Sequence, residues 1–349
     1  MTSITLNAGE TLQGKYRIIK TLGQGGFGIT YLAEQIMLNK KFAIKEFFMR
    51  DLCGRNTTST VYTATQSDLV ERYRAKFVKE AQLIAQQDHP GIVNVSDIFN
   101  ENDTIYYVME YIEGESLKDM VEKEGVLTEK TALRYISKVA EALEHLHKSH
   151  INHLDIKPAN IMVRRKDDMP ILIDFGVSKQ YDEKKNQTST TPPGVSNGYS
   201  PLEQYKQGGV SKFSPQADIY ALGATLYKLL TGNTPPDASD VAMYGLPTLP
   251  STISFGVRKA IEKAMKFRVA DRPKSIREFM EMMDIMSTPE DEEPIITIIS
   301  EGDSTNKKND EKEMRRKEMD RILGKIKNSG YSSLSKEEKQ FLLDNSNML

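Results

Sequence analysis

The stretch HLDIKPANIMV, residues 153–163, followed shortly by ILIDFGVSK, residues 171–179, decides how this chain is read. Asp155 stands where a carboxylate can orient a hydroxyl and take its proton. Lys157, two residues on, can neutralise charge on a phosphoryl group in transit. Asn160 and Asp174 add hard oxygen donors of the kind that Mg2+ prefers. Phosphoryl transfer needs mainly positioning and charge neutralisation, and this order of residue types offers both. Leu154 is the odd member, an apolar residue between a histidine and an aspartate in a segment otherwise built for polar chemistry.

Upstream, LGQGGFGITYLA (22–33) spaces Gly23, Gly25 and Gly28 as G-x-G-x-x-G. Glycines let a turn lie close over phosphates with its N–H groups facing the anion. Dinucleotide-binding folds use the same letters, but there the turn opens a helix. Here ITYLAEQ reads as a returning strand, so the turn is expected to cover phosphates from above. Lys45 in FAIK falls on the next strand. Its expected partner is Glu80 in the helical segment FVKEAQLI, with Glu71 the alternative on poorer helix phase. The long connection between them, residues 46–73, reads as an inserted loop rather than a regulatory or docking element.

Residues 16 to about 283 resemble a eukaryotic-type Ser/Thr protein kinase of the kind also found in bacteria. The resemblance implies an α+β, two-lobed protein-kinase-like fold, with a small β-rich lobe at 16–112 and a larger helical lobe at 113–285. It implies catalytic roles for Asp155, Lys157, Lys45 and Glu80. ATP is expected against Leu22, Gly23, Gly25, Gly26, Phe27, Gly28, Thr30, Ala43, Lys45, Met109, Glu110 and Ile112, and Mg2+ (or Mn2+) at Asn160 and Asp174. The activation segment would run from Asp174, Phe175 and Gly176, through Thr188, Ser189, Thr190 and Thr191, to Glu203 in GYSPLEQY. Asp218 in ADIYALG and Arg272 in DRP match structural positions, Arg272 as the partner of Glu203. Lysine two residues after Asp155 resembles Ser/Thr specificity, so the implied partner is a protein substrate with Ser or Thr.

The departures also carry meaning. Thr30 replaces the usual valine over the adenine, and Pro201 and Leu202 stand where alanine and proline are usual. Leu154 replaces the arginine that pairs with a phosphorylated activation segment in the family. The implied consequence is intact chemistry with a common control removed, a non-RD kinase; Lys179 or Arg134 would be the substitutes if that control persists.

The remaining features are quieter. A net charge of -2 with 28% charged residues gives no basic field for nucleic acid or anionic membranes. No apolar run is long enough to cross a bilayer, so no membrane insertion is expected. One cysteine, Cys53, suits a reducing, cytoplasmic setting and reads as an ordinary loop thiol. His145, His147, His150 and His153 read as structural histidines, not as a metal cluster. Residues 1–15 read as an N-terminal extension and 286–318 as a charged linker. Residues 319–349 read as a helical hairpin tail, in which Met319, Ile322, Leu323 and Ile326 form an apolar stripe. That tail resembles a segment of rhomboid-type membrane proteins of Bacteroidetes and suggests an interaction partner. A nucleotide-binding scaffold without activity and a small-molecule kinase are the competing readings; the retained Lys45, Asp155, Asn160 and Asp174 disfavour the first, GYSPLEQY and Arg272 the second.

Overall fold

A computed structural model of the chain describes residues 4–63, 67–175, 179–180, 195–205, 214–283 and 335. The chain divides into one unit from Met1 to Thr288 and a second from Pro289 to Leu349. All the elements below belong to the first, and the linker and, apart from Ser335, the tail lie outside the described residues.

The small lobe is an antiparallel sheet of six strands in the order β1-β2-β3-β4-β8-β7. They are β1 (Thr11–Leu12), β2 (Tyr16–Gln24), β3 (Gly28–Gln35), β4 (Lys40–Phe47), β7 (Val95–Glu101) and β8 (Thr104–Glu110). Between β4 and helix α1 (Ser67–Ala85) lies a small hairpin, β5 (Cys53–Arg55) paired with β6 (Val61–Thr63). Asn102 and Asp103, both in left-handed backbone, turn β7 into β8, a pairing of residue types that tolerates the mirror-image turn a twisted hairpin requires. The sheet is buried on two sides. Ala43, Phe47, Tyr107 and Met109 face α1 and the large lobe, while Ile18, Tyr31, Ile44, Tyr106 and Val108 pack on the other face with Leu6 and Leu12. Residues 4–15 are therefore packed into the lobe and do not trail from it.

The 46–73 connection departs from a plain loop. Arg55 of β5 is 4% exposed and Glu46 of β4 is fully buried. The Arg55 Nη2 donates to both Glu46 oxygens at 2.6 Å. Tyr31 and Tyr106 donate their hydroxyls to the same carboxylate at 2.7 and 2.8 Å. Arg55 also donates to the Ile4 and Ser59 carbonyls at 2.9 and 2.7 Å. A desolvated carboxylate is stable only when its lone pairs are filled, and here arginine and two phenols fill them. The insertion is thus docked on the sheet, with the N-terminal residues tied to the same guanidinium. Cys53 sits on β5, and burial pushes its thiol up, away from the range of a reactive thiolate.

The large lobe begins with β9 (Gly114–Ser116) and α2 (Leu117–Glu124). Ser116 caps α2 in a reciprocal box with Asp119. Helix α3 (Glu129–Lys148) buries Ile136, Ala140 and Leu143, as its three- and four-residue spacing predicts, and Thr128 caps it from Thr131 N–H alone. The short strands β10 (Ile151–Asn152), β11 (Ile161–Arg164), β12 (Met169–Leu172) and β13 (Lys179–Gln180) frame the 153–175 segment. Helix α4 (Gln216–Thr231) is buried along nearly its whole surface, which fits an apolar sequence with no polar face. Gly232, at φ 72°, closes it with a left-handed cap. Helices α5 (Ala238–Tyr244), α6 (Phe255–Ala264) and α7 (Ile276–Glu281) complete the lobe.

Candidate active site

The two lobes meet at a cleft of about 900 Å³. All the residues expected to bind nucleotide or metal, or to take part in the chemistry, border it: Leu22 to Gly28, Thr30, Ala43, Lys45, Glu80, Met109 to Ile112, Asp155, Lys157, Asn160 and Asp174. The glycine turn joins β2 to β3 and bends back on itself through Gly25 N–H to Gly28 O at 2.8 Å. A Cβ at Gly28 would lie 2.8 Å from the Glu46 carbonyl, so only glycine lets the turn close down on β4.

Lys45 on β4 is bound from two sides. Its Nζ donates to Glu80 Oε1 on α1 at 3.2 Å and to Asp174 Oδ1 at 2.7 Å. Glu71 instead pairs with Arg74 on the surface. Burial alone would lower the Lys45 amine, but the Asp174 and Glu80 carboxylates outweigh it and hold the amine well above its usual range. Burial raises Asp174, and Lys45 more than offsets this, keeping the carboxyl below its ordinary value. Burial, helped by the nearby Asp174 charge, keeps the Glu80 carboxyl above its usual value despite Lys45. Tyr107 donates its hydroxyl to Glu80 Oε1 at 3.2 Å and holds the carboxyl in place.

Across the cleft, Asp155 gathers four donor contacts. Lys157 Nζ reaches its two oxygens at 3.0 and 2.8 Å, Asn160 Nδ2 reaches Oδ2 at 2.8 Å, and Ser196 Oγ reaches Oδ1 at 2.7 Å. Lys157 also donates to Ser196 Oγ at 2.9 Å. Asn160 donates again to the Asp155 carbonyl at 2.9 Å, so its amide nitrogen is committed, while its side-chain oxygen has no hydrogen-bond partner among the described residues. Sequence reading missed Ser196. The available signal was a hydroxyl residue close before Glu203 in GVSNGYSPLEQY. Gly176 and Thr188 to Thr191 lie outside the described residues.

The 153–155 loop is held from below by α4. Asp218 accepts the backbone N–H groups of His153 and Leu154 at 2.9 and 2.8 Å and the His147 Nε2 at 2.8 Å. Burial raises the Asp218 carboxyl, but these donors hold it below its usual value. Leu154 has φ 64° and is 3% exposed, packed with Ala217, while Gln204 Nε2 caps its carbonyl at 3.1 Å. A left-handed leucine costs about 1–2 kcal/mol, so these contacts must over-determine the bend. Glu203 is fixed by Arg272, whose guanidinium reaches its two oxygens at 2.6 and 3.0 Å and also donates to the carbonyls of Lys266, Phe267 and Gln216. Arg134, by contrast, is committed to Asp168. Among the described residues no group of three or more His, Cys, Asp or Glu could hold a metal by itself.

His153 is fully buried, with Phe175 at a centroid distance of 4.5 Å. Its Nδ1 accepts the Asp155 N–H at 3.3 Å, a geometry that suits the neutral ring. Burial pushes the imidazole below its ordinary value, despite Asp218 and Asp155 nearby. An unfolded histidine protonates near pH 6.5, so below that pH the unfolded chain binds more protons than the folded one. This contribution to stability is complete above about pH 6.5 and is lost as pH falls through the lowered folded value. Urea midpoints should therefore drop between pH 7.5 and 5.5, and His153→Asn should show a shallower drop. Equal slopes would remove His153 from the account.

The family model "Protein kinase domain" matches residues 16–286, and a family of unknown function (DUF6576) matches residues 305–348. The chain is similar to Serine/threonine-protein kinase PrkC of Bacillus subtilis (strain 168), 34% identical over 241 residues, covering 69% of this chain and 34% of that protein. It is also similar to Serine/threonine-protein kinase pkn3 of Myxococcus xanthus, 30% identical over 287 residues, covering 78% of this chain and 50% of the relative. The chain thus spans between about a third and a half of the length of these curated relatives. The solved structure of PpkA-294 in its apo form superimposes with a TM-score of 0.67 at 28% identity, over 80% of this chain and all of that one. Two lobes, a glycine turn over a shared cleft and a matched span of 16–286 lead to one statement: the chain belongs to the protein kinase domain family, alongside the bacterial Ser/Thr protein kinases.

Proposed function

We propose that the chain binds ATP in the cleft and transfers its γ-phosphoryl group to Ser or Thr hydroxyls of proteins. The observation that carries this reading is Lys45 held between Glu80 and Asp174, opposite an Asp155 already ringed by Lys157, Asn160 and Ser196. Lys45 would hold the α- and β-phosphates, kept in place by Glu80. Asp155 would orient the acceptor hydroxyl and take its proton, with Ser196 and Lys157 fixing its rotamer. The family uses ATP with a divalent metal. The donor set fits Mg2+, or Mn2+, because Asn160 retains a free side-chain oxygen and Asp174 is an ionised carboxylate, both hard ligands. When bound, the ion neutralises phosphate charge.

The reading extends to control. The buried, apolar Leu154 offers no donor to a phosphate, and Asp218, Gln204 and Ala217 already shape its loop. Phosphate on Thr188 to Thr191 would accordingly be tolerated or used for docking, without being needed to set the catalytic loop. Residues 286–318 would serve as a linker and 319–349 as an interaction module for a second protein, related to the rhomboid-associated segment; the apolar stripe in the tail supports this. A cytoplasmic setting is supported by the single cysteine. Among the described residues no helix is long and apolar enough to cross a membrane.

The test is transfer of label from γ-labelled ATP to casein or myelin basic protein, with phosphoamino-acid analysis. Wild type should yield phosphoserine or phosphothreonine with Mg2+ or Mn2+. Lys45→Ala should lose at least about 100-fold, since it loosens the phosphates. No transfer by wild type with either ion would overturn the assignment.

A further inference from the structure

The tip of the glycine turn is tied down by two sets of contacts. Phe48 N–H donates to the Phe27 carbonyl at 3.2 Å and Arg50 N–H to the Gly26 carbonyl at 3.3 Å, both from the start of the docked insertion. The Phe27 ring lies on the ring of Tyr73, on α1, with centroids 4.9 Å apart and planes 21° from parallel. Phe27 is 43% exposed, so the core does not fix its ring; the contact with Tyr73 does. Tyr73 precedes Glu80 by seven residues, two helical turns, on the same face of α1. Phe77 stands between them against Phe47 and Tyr107. The Lys76 amine sits 5.2 Å from the centroid of the Tyr73 ring and has no hydrogen-bond partner among the described residues. The ring face is its electrostatic counterpart.

We propose that Tyr73 is a positioning residue, which through its stack with Phe27 holds the glycine turn down over the phosphate end of the nucleotide and links that turn to the helix carrying Glu80. This rests on the ATP reading above. A turn with glycine at 23, 25, 26 and 28 has unusual conformational freedom, so an open and a closed population compete unless something anchors the tip. A near-parallel aromatic pair gives that anchor a preferred geometry and shifts the population toward closure. The affected ligand group is the phosphate chain, which the turn covers, and not the adenosine, which lies against Ala43 and Met109 in the same reading.

Full-length Tyr73→Ala, Tyr73→Phe, Phe27→Ala and the double alanine variant would be compared by calorimetry with Mg-ATP and with adenosine, and by steady-state kinetics. Tyr73→Ala should weaken ATP about three- to tenfold, leave adenosine unchanged and raise KM more than it lowers kcat. Tyr73→Phe should restore wild-type values, and the double variant should bind no worse than Phe27→Ala alone. Phe27 is exposed, so Phe27→Ala must show the same ATP-only loss even if Tyr73→Ala does not fold. Equal losses for adenosine and ATP, additive losses in the double variant, or a Tyr73→Phe as weak as Tyr73→Ala would each overturn the proposal. A wild-type chain that binds neither ligand would overturn the nucleotide reading, and the proposal with it.

Discussion

Asp155→Asn is expected to lower phosphoryl transfer at least about 100-fold, the scale of a lost general base, with ATP affinity unchanged. In the native site both carboxylate oxygens are filled by donors from Lys157, Asn160 and Ser196. An asparagine there turns an N–H2 toward at least one of those donors, so the ring of contacts breaks and the proton acceptor goes with it. Asp155 borders the cleft on the large-lobe side, away from Lys45, which is why nucleotide binding should survive. Single-turnover transfer to an added substrate, alongside calorimetric titration with ATP, separates the two effects. Turnover within a few fold of wild type would remove Asp155 from its role; loss of ATP binding would show that it contacts the nucleotide.

Arg55→Ala should produce the largest loss of stability among single changes to the small lobe, about 3–5 kcal/mol, because it strands a fully buried carboxylate. Tyr31 and Tyr106 would still donate to Glu46, but no cation would remain beside it. The same substitution frees the Ile4 and Ser59 carbonyls, so the insertion hairpin and the N-terminal residues should loosen together. The pair Glu46→Gln with Arg55→Met should recover most of the loss, since neither charge is then buried. Urea denaturation reads the stability, and hydrogen exchange at residues 49–63 reads the loosening. A cost under about 1 kcal/mol would place the pair among solvent-screened salt bridges.

The candidate site was legible because the proposed chemistry depends on residue types at short spacing, and these residues do line one cleft. Asp155, Lys157 and Asn160 fall within six residues, and the glycine turn declares itself by composition. Lys45 with Glu80 could also be read, since helix phase chose Glu80 over Glu71. What escaped was contact between segments with no local pattern. Ser196 is an ordinary serine until the fold carries it to Asp155, 41 residues away in sequence. Arg55 sits in a polar stretch that reads as a loop, and only its burial against Glu46 turns that stretch into a docked hairpin. Leu154 was noticed for the arginine it replaces; its left-handed backbone and its fit against Ala217 carry no sequence signature, since leucine seldom adopts that conformation. Arg134, a possible substitute for that arginine, is already committed to Asp168, a partner set by tertiary structure.

Asp218 has one further consequence, for the order in which the molecule becomes competent. The loop carrying Asp155 owes its bend to a carboxylate 64 residues later in the chain, and Glu203 is clamped by an arginine 69 residues beyond it. Lys45 and Asp174 close a span of 129 residues. Closing loops of that size is entropically costly, and topologies rich in distant pairings fold slowly. Any fragment ending before Asp218 lacks the acceptor for the His153 and Leu154 N–H groups and cannot hold the loop. During synthesis the site is therefore assembled only after the large lobe has been made past α4, well after the glycine turn and Lys45 have emerged.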